Sequence, residues 1–181
     1  MPDLSQTQAI LLCEDDRHYS FGLAAMDEFG IDKRKLRLRK SPGGKGSAYT
    51  WVLKNFPIEL QEYRKRSNFQ NLSLFVIIDE DGQSVDLRRR QLAQTVAENG
   101  LAPVGDDERV YVFVPTRNIE TWAVWCRGDQ VDEYVDYSKK PIENVAPLAR
   151  EFARSCRQGS QRPRMPKSLQ AACTEFLKSL Q

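Results

Sequence analysis

Three short stretches, residues 9–13, 72–78 and 110–114, are apolar at nearly every position, and each ends at acidic residues or proline. Unbroken apolarity over so few residues marks a strand buried on both faces, and such strands belong to parallel sheets covered by helices. The segments between them carry the helical period. Residues 17–29 place Phe21, Ala25 and Phe29 four apart before Gly30, and residues 86–99 set Leu92 and Val96 inward, with arginines outward, before Gly100. Residues 118–126 read as a short helix holding Glu120, Trp122 and Trp125, the two tryptophans spaced for the core. Leu36 and Leu38 alternate with Arg37 and Arg39 as in a half-exposed strand, a loop follows at residues 41–47, and a helix over 48–66 is expected to bend or break at Pro57.

The order of strand, helix, strand, helix is that of an α/β protein with a mostly parallel, Rossmann-like sheet flanked by helices. Two later patterns, Val145 to Cys156 and Leu169 to Leu180, follow helical spacing and predict a C-terminal helical extension. The expected organisation is an α/β domain over residues 7–127 and a helical pair over 141–181 on the same core, which suits a chain of 181 residues. No apolar run approaches the roughly 20 residues of a membrane helix. The first residues lack a basic region followed by an apolar one, so the expected address is the cytoplasm. Cys13, Cys126, Cys156 and Cys173 form no CxxC pair, and reduced, mostly buried thiols are expected.

Charge is segregated along the chain. Residues 33–66 hold eleven Lys or Arg against two acids, while residues 98–136 hold nine acids against three bases. A basic face is the electrostatic footprint of a phosphate-bearing partner. Arg37, Arg39, Lys40 and Lys45, with Arg88 and Arg89 further on, are the candidates for tracking a nucleic-acid backbone, DNA and RNA being equally open. The acidic residues 129–136 suggest a surface for a protein partner. Lys45 lies in a glycine-flanked loop, Gly43-Gly44-Lys45-Gly46, that lets backbone approach a substrate phosphate, but its spacing is not that of a nucleotide P-loop.

Ligands of open α/β sheets bind beyond the C-terminal strand ends, and three strands deliver acids there: Glu14, then Asp79 and Asp81, then Glu120. Carboxylates gathered so closely need a cation, and carboxylate oxygens without His or Cys company favour Mg²⁺ or Mn²⁺ over zinc. His18, the only histidine, is a candidate general base or phosphate contact, or a surface residue at a helix N-terminus.

Glu14 after a buried strand and Asp79-Glu80-Asp81-Gly82 after a later one resemble the TOPRIM domain of topoisomerases, primases and OLD-family nucleases. The stretches Gly43–Gly46 and Pro115–Trp122 resemble small stand-alone TOPRIM proteins, some associated with phage-defence clusters. The resemblance implies a metal-dependent nuclease in which Glu14 is a metal ligand or general acid–base. It further implies that Asp79 and Asp81 bind Mg²⁺ and that Glu120 serves a second metal. It departs from the pattern in two places, with Asp15 where glycine is usual and His18 where nuclease-type members often carry an acid. The alternative is a non-catalytic binding or regulatory subunit beside an ATPase partner. Residues 10–17 also resemble the opening of a response-regulator receiver, but Thr50 to Pro57 lacks the required phosphoacceptor Asp.

Overall fold

The computed structural model describes residues 6–43, 47–158 and 165–178. Four strands, β1 (Gln8–Cys13), β2 (Leu36–Lys40), β3 (Leu72–Ile77) and β4 (Val110–Phe113), form one wholly parallel sheet in the order β2-β1-β3-β4. Between them run α1 (Asp16–Glu28), α2 (Ala48–Ser67) and α3 (Val85–Glu98), and α4 (Ile119–Arg127), α5 (Ala146–Gln158) and α6 (Lys167–Lys178) follow β4. The α/β class and the parallel, Rossmann-like sheet read from the apolar runs are therefore those of the folded chain. No helix among the described residues is long and apolar enough to cross a membrane.

The strand period divides the core into two layers. Ala9, Leu11, Cys13, Phe75, Ile77, Tyr111 and Phe113 face α1, α4, α5 and α6, while Ile10, Leu12, Leu74, Val76 and Val112 face α2 and α3. The C-terminal helices belong to the first layer: Phe152 and Phe176 pack with Phe21, Phe29, Phe75, Phe113 and Trp122. Trp122 and Trp125 are buried as their spacing suggests, and the Trp122 indole donates to Ser168 Oγ at 2.9 Å, tying α4 to α6. Gly22 lets α1 sit directly on the sheet, for a Cβ there would meet Leu11 Cδ2 at 2.9 Å and Ile77 Cδ1 at 3.0 Å.

One local expectation is narrowed and another corrected: of the bend or break expected at Pro57, the break does not occur, and one pair of cysteines is not reduced. Helix α2 runs unbroken through Pro57, because Val52, Phe56, Leu60 and Tyr63 are buried on both sides of it and their packing outweighs one missing backbone bond. Cys13 and Cys126 are buried and outside any disulfide, but Cys156 and Cys173 are joined in a disulfide with Cα atoms 5.0 Å apart. Their separation in sequence carries no information about this, since pairing depends on the approach of α5 to α6. Cross-linking a loop of 17 residues stabilises by about 3 kcal/mol through the unfolded chain. Reduction should lower the melting temperature by roughly 6–12 °C in a scan with and without reductant, and an unchanged midpoint would contradict the link.

Candidate functional site at the strand switch point

Chain direction reverses between β1 and β3: α1 leads outward to β2, and α2 brings the chain back across to β3. The crevice at such a reversal opens beyond the strand ends, and the residues following β1 and β3 are Glu14 and Asp79. Both are buried, each at 8% exposure, and the Asp79 backbone N–H donates to Glu14 Oε1 at 2.6 Å.

His18 joins them from the first turn of α1. It is 1% exposed, which overturns its reading as a surface residue. Its Nδ1 faces Asp15 Oδ1 at 2.8 Å and its Nε2 faces Asp79 Oδ1 at 2.9 Å. Asp15 also caps α1, accepting from the N–H groups of Arg17 and His18. One donor atom from each of Glu14, His18 and Asp79 lies within 4.8 Å of the other two. With both ring nitrogens set against carboxylates, the imidazole donates twice and carries a positive charge.

The electrostatics follow from this burial. Glu14 is pushed up from 4.5 to about 7 by desolvation and by the charge of Asp79. Burial alone would lower the His18 pKa, but the Asp79 charge and the hydrogen bonds to Asp15 and Asp79 outweigh it and hold the ring well above 6.5. Asp79 is raised by burial, with the His18 charge pulling it back. Burial would raise Asp15 also, but its bond from His18 holds it down at about 2.

Asp79 lines an open cleft of about 420 Å³ together with Asp15, Asp81, Gly82, Arg117, Asn118 and Glu120. The pairing of β3 with β4 continues into the loops that wall it. Glu80 N–H donates to Pro115 O at 3.0 Å and Asp81 N–H to Arg117 O at 3.1 Å. Asp81 and Gly82 both have positive φ and are closed by Gln83 N–H to Glu80 O, as in a type I′ turn. The buried Glu80 carboxylate fastens the turn by accepting from the Gly82 and Arg117 N–H groups.

The four expected acids therefore divide. Glu14 and Asp79 meet directly, whereas Asp81 and Glu120 stand on the cleft wall, Glu120 paired with Arg17. Among the basic residues, Arg88 is corrected from an outward backbone contact to a buried clamp, 1% exposed, because β3 ends in carbonyls that need donors. Its Nε donates to Asp79 O at 2.9 Å, its Nη2 to Glu80 O at 3.2 Å, and its guanidinium lies 4.1 Å from the Tyr49 ring centroid. Arg89 donates to Val112 O at 2.9 Å. Arg37 and Arg39 on β2 both pair with Glu59 of α2, and Lys40 pairs with Asp16, so much of the basic surplus is already matched by acids. Lys45 lies outside the described residues. In the acidic stretch, Glu133 accepts from Thr116, Lys167 N–H and Ser168, and Asp136 from Asn118, so these two serve their own chain.

Sequence reasoning passed over Arg17, Glu80 and Arg117 as site residues, and noted Asp15 as a departure from the family pattern without seeing its bond to His18. The spacing of Asp15 and His18, N-cap and third helical position, was the available signal for that bond. No protein-family model matches this chain, and no curated protein or solved structure matches it either.

Two outcomes are expected. Because the Glu14 pKa is higher folded than unfolded, its stabilising contribution is full below about 4.5 and is lost as pH rises to about 7. The loss is on the order of 3 kcal/mol, and the raised His18 also sheds its contribution as pH climbs through its folded value. Denaturant titrations in EDTA should show stability falling from pH 5 to 8, with Glu14→Gln flattening the slope and exceeding the parent protein at pH 8. A parent protein at least as stable at pH 8 as at pH 5 would contradict this. Arg88→Met, which strips the loop carbonyls of their donors, should cost about 3 kcal/mol in the same titration.

Proposed function

We propose that this protein is a divalent-metal-dependent hydrolase of nucleic-acid phosphodiesters, with its centre at the switch point between β1 and β3. The carrying observation is the buried carboxylate pair of Glu14 and Asp79 at two strand ends, clustered with His18 within 4.8 Å and set beside an acidic cleft. The donor chemistry suits Mg²⁺ or Mn²⁺. Two carboxylates, one raised to about 7 by burial and its neighbour's charge, gain from a cation. His18 is not in the ligand set, since both of its nitrogens are committed to carboxylates. Glu14 and Asp79 would hold the ion, with Asp81 and Glu120 beside them on the cleft wall.

A divalent ion held there supplies charge to a phosphodiester and acidifies bound water. The chain's own residues do the positioning. His18 keeps a proton between Asp15 Oδ1 and Asp79 Oδ1 and fixes the Asp79 carboxylate, leaving its second oxygen for a ligand. Arg88 holds the backbone carbonyls of Asp79 and Glu80, so the acidic loop keeps its place while the cleft is open to solvent.

A specific observation supports the second reading, a binding or regulatory subunit that does not cut and works beside an ATPase. The positive charges of His18 and Arg17 already balance Asp79 and Glu120, and the basic residues of β2 are already paired.

Thermal melts with EDTA, Mg²⁺ or Mn²⁺, run beside cleavage of supercoiled DNA, single-stranded DNA and tRNA, separate the two. Mn²⁺ at ten times its Kd should stabilise the protein by about 1.4 kcal/mol, or about 4 °C. Asp79→Asn with Asp81→Asn should lose that shift and reduce cleavage at least 100-fold. Stabilisation without cleavage favours the binding subunit, and no metal-dependent shift at all sinks the hydrolase.

A further inference from the structure

Three arginines surround the candidate centre, and two of them already have partners within it. Arg17 is paired with Glu120, and Arg88 spends its guanidinium on Asp79 O, Glu80 O and Gln91. Arg117 differs. It lines the cleft with Asp79, Asp81 and Glu120, its side chain makes no hydrogen bond or ion pair among the described residues, and its buried Nε is left without an acceptor. A buried donor without a partner is costly unless something else supplies the acceptor.

The backbone around Arg117 is arranged at a cost. Arg117 has a φ of 65°, in the left-handed region that a side chain with a Cβ disfavours, and Asp81, whose N–H donates to Arg117 O, has a φ of 55°. The Glu80 carboxylate accepts from the Arg117 N–H at 2.8 Å and holds that conformation. Gly82 clears the space, because a Cβ there would come within 2.7 Å of Arg117 Nη1. The tight turn closed by Asn118 N–H to Thr116 O at 2.9 Å and the bonds of Arg117 to Glu80 and Asp81 hold this strained residue across the glycine turn, at the cleft wall where such strain commonly accompanies function. An oxyanion is the partner its geometry fits, since guanidinium presents paired donors to two oxygens.

We infer that Arg117 is the substrate-gripping residue of this cleft, donating to the non-bridging oxygens of a phosphodiester held beside Asp79 and Asp81. This rests on the phosphodiester reading of the site and assigns its substrate contact to a residue on the β4–α4 loop. The arginines of β2, already paired with Glu59, are then peripheral to phosphate recognition.

The test is fluorescence anisotropy with labelled single-stranded DNA and labelled RNA of about 20 nucleotides, in Ca²⁺ and in EDTA. Arg117→Ala should weaken binding at least tenfold and lower the salt slope by about one, with Arg117→Lys falling between. Arg117→Gly should lose binding equally while melting no lower than the parent protein, because glycine relieves the left-handed strain; that separates lost contact from lost fold. All three variants should keep the Mn²⁺-induced rise in melting temperature. If Arg117→Ala binds both strands within twofold of the parent protein, or the parent protein binds neither, the assignment is overturned whatever the metal does. If strand binding depends on Arg117 but Mn²⁺ stabilises nothing, the metal reading fails and this assignment stands.

Discussion

The contact on which the site depends is the doubly bonded His18 ring, which spans Asp15 at the start of α1 and Asp79 at the end of β3. A protonated imidazole sealed from water would be prohibitive alone, and the buried carboxylates of Asp79 and Glu14 would repel; together they are tolerable. The bridge fixes α1 against the β1–β3 seam, where Gly22, one turn further on, permits close packing against Leu11 and Ile77. Moving the helix therefore moves the acids, and the chemistry of the centre is coupled to the core beneath it.

Around that bridge, the polar groups of the strand ends are satisfied from several directions. Arg88 reaches in from α3 to the carbonyls of Asp79 and Glu80, Glu80 reaches across to the N–H groups of Gly82 and Arg117, and Arg17 meets Glu120. The result is a hydrogen-bonded acidic rim in which Asp81 and Arg117, the non-glycine residues of positive φ among the described residues, both line the cleft. Strain held by hydrogen bonds at a cleft wall is where function commonly resides. The C-terminal helices take part indirectly: α6 bonds Trp122 of α4 through Ser168, and α4 carries Glu120.

How much was legible in the sequence differs between fold and site. The wholly apolar runs at residues 9–13 and 72–78 revealed buried parallel strands, because only a strand covered on both faces tolerates such a run, and the acids placed just after them named Glu14 and Asp79. Arg88 was misread because helical period assigns a side by residue type, and an arginine turned inward to unsatisfied carbonyls looks outward to that rule. The basic stretch on β2 looked like a free phosphate-tracking face because the counter-charge, Glu59, comes from a helix more than a strand's length away in sequence.

The sequence by itself determined the α/β class, the parallel sheet and the strand ends at which carboxylates collect, since these follow from local apolar period and from turn chemistry. Tertiary structure alone decided the rest: the burial of His18 between two aspartates, the union of Cys156 with Cys173, the pairing of Arg17 with Glu120, and the Arg117 Nε left without an acceptor. Each joins groups brought together by strand order and helix packing. Local pattern records which residues are buried or exposed, but the partner that makes a buried charge affordable is set by distances in space.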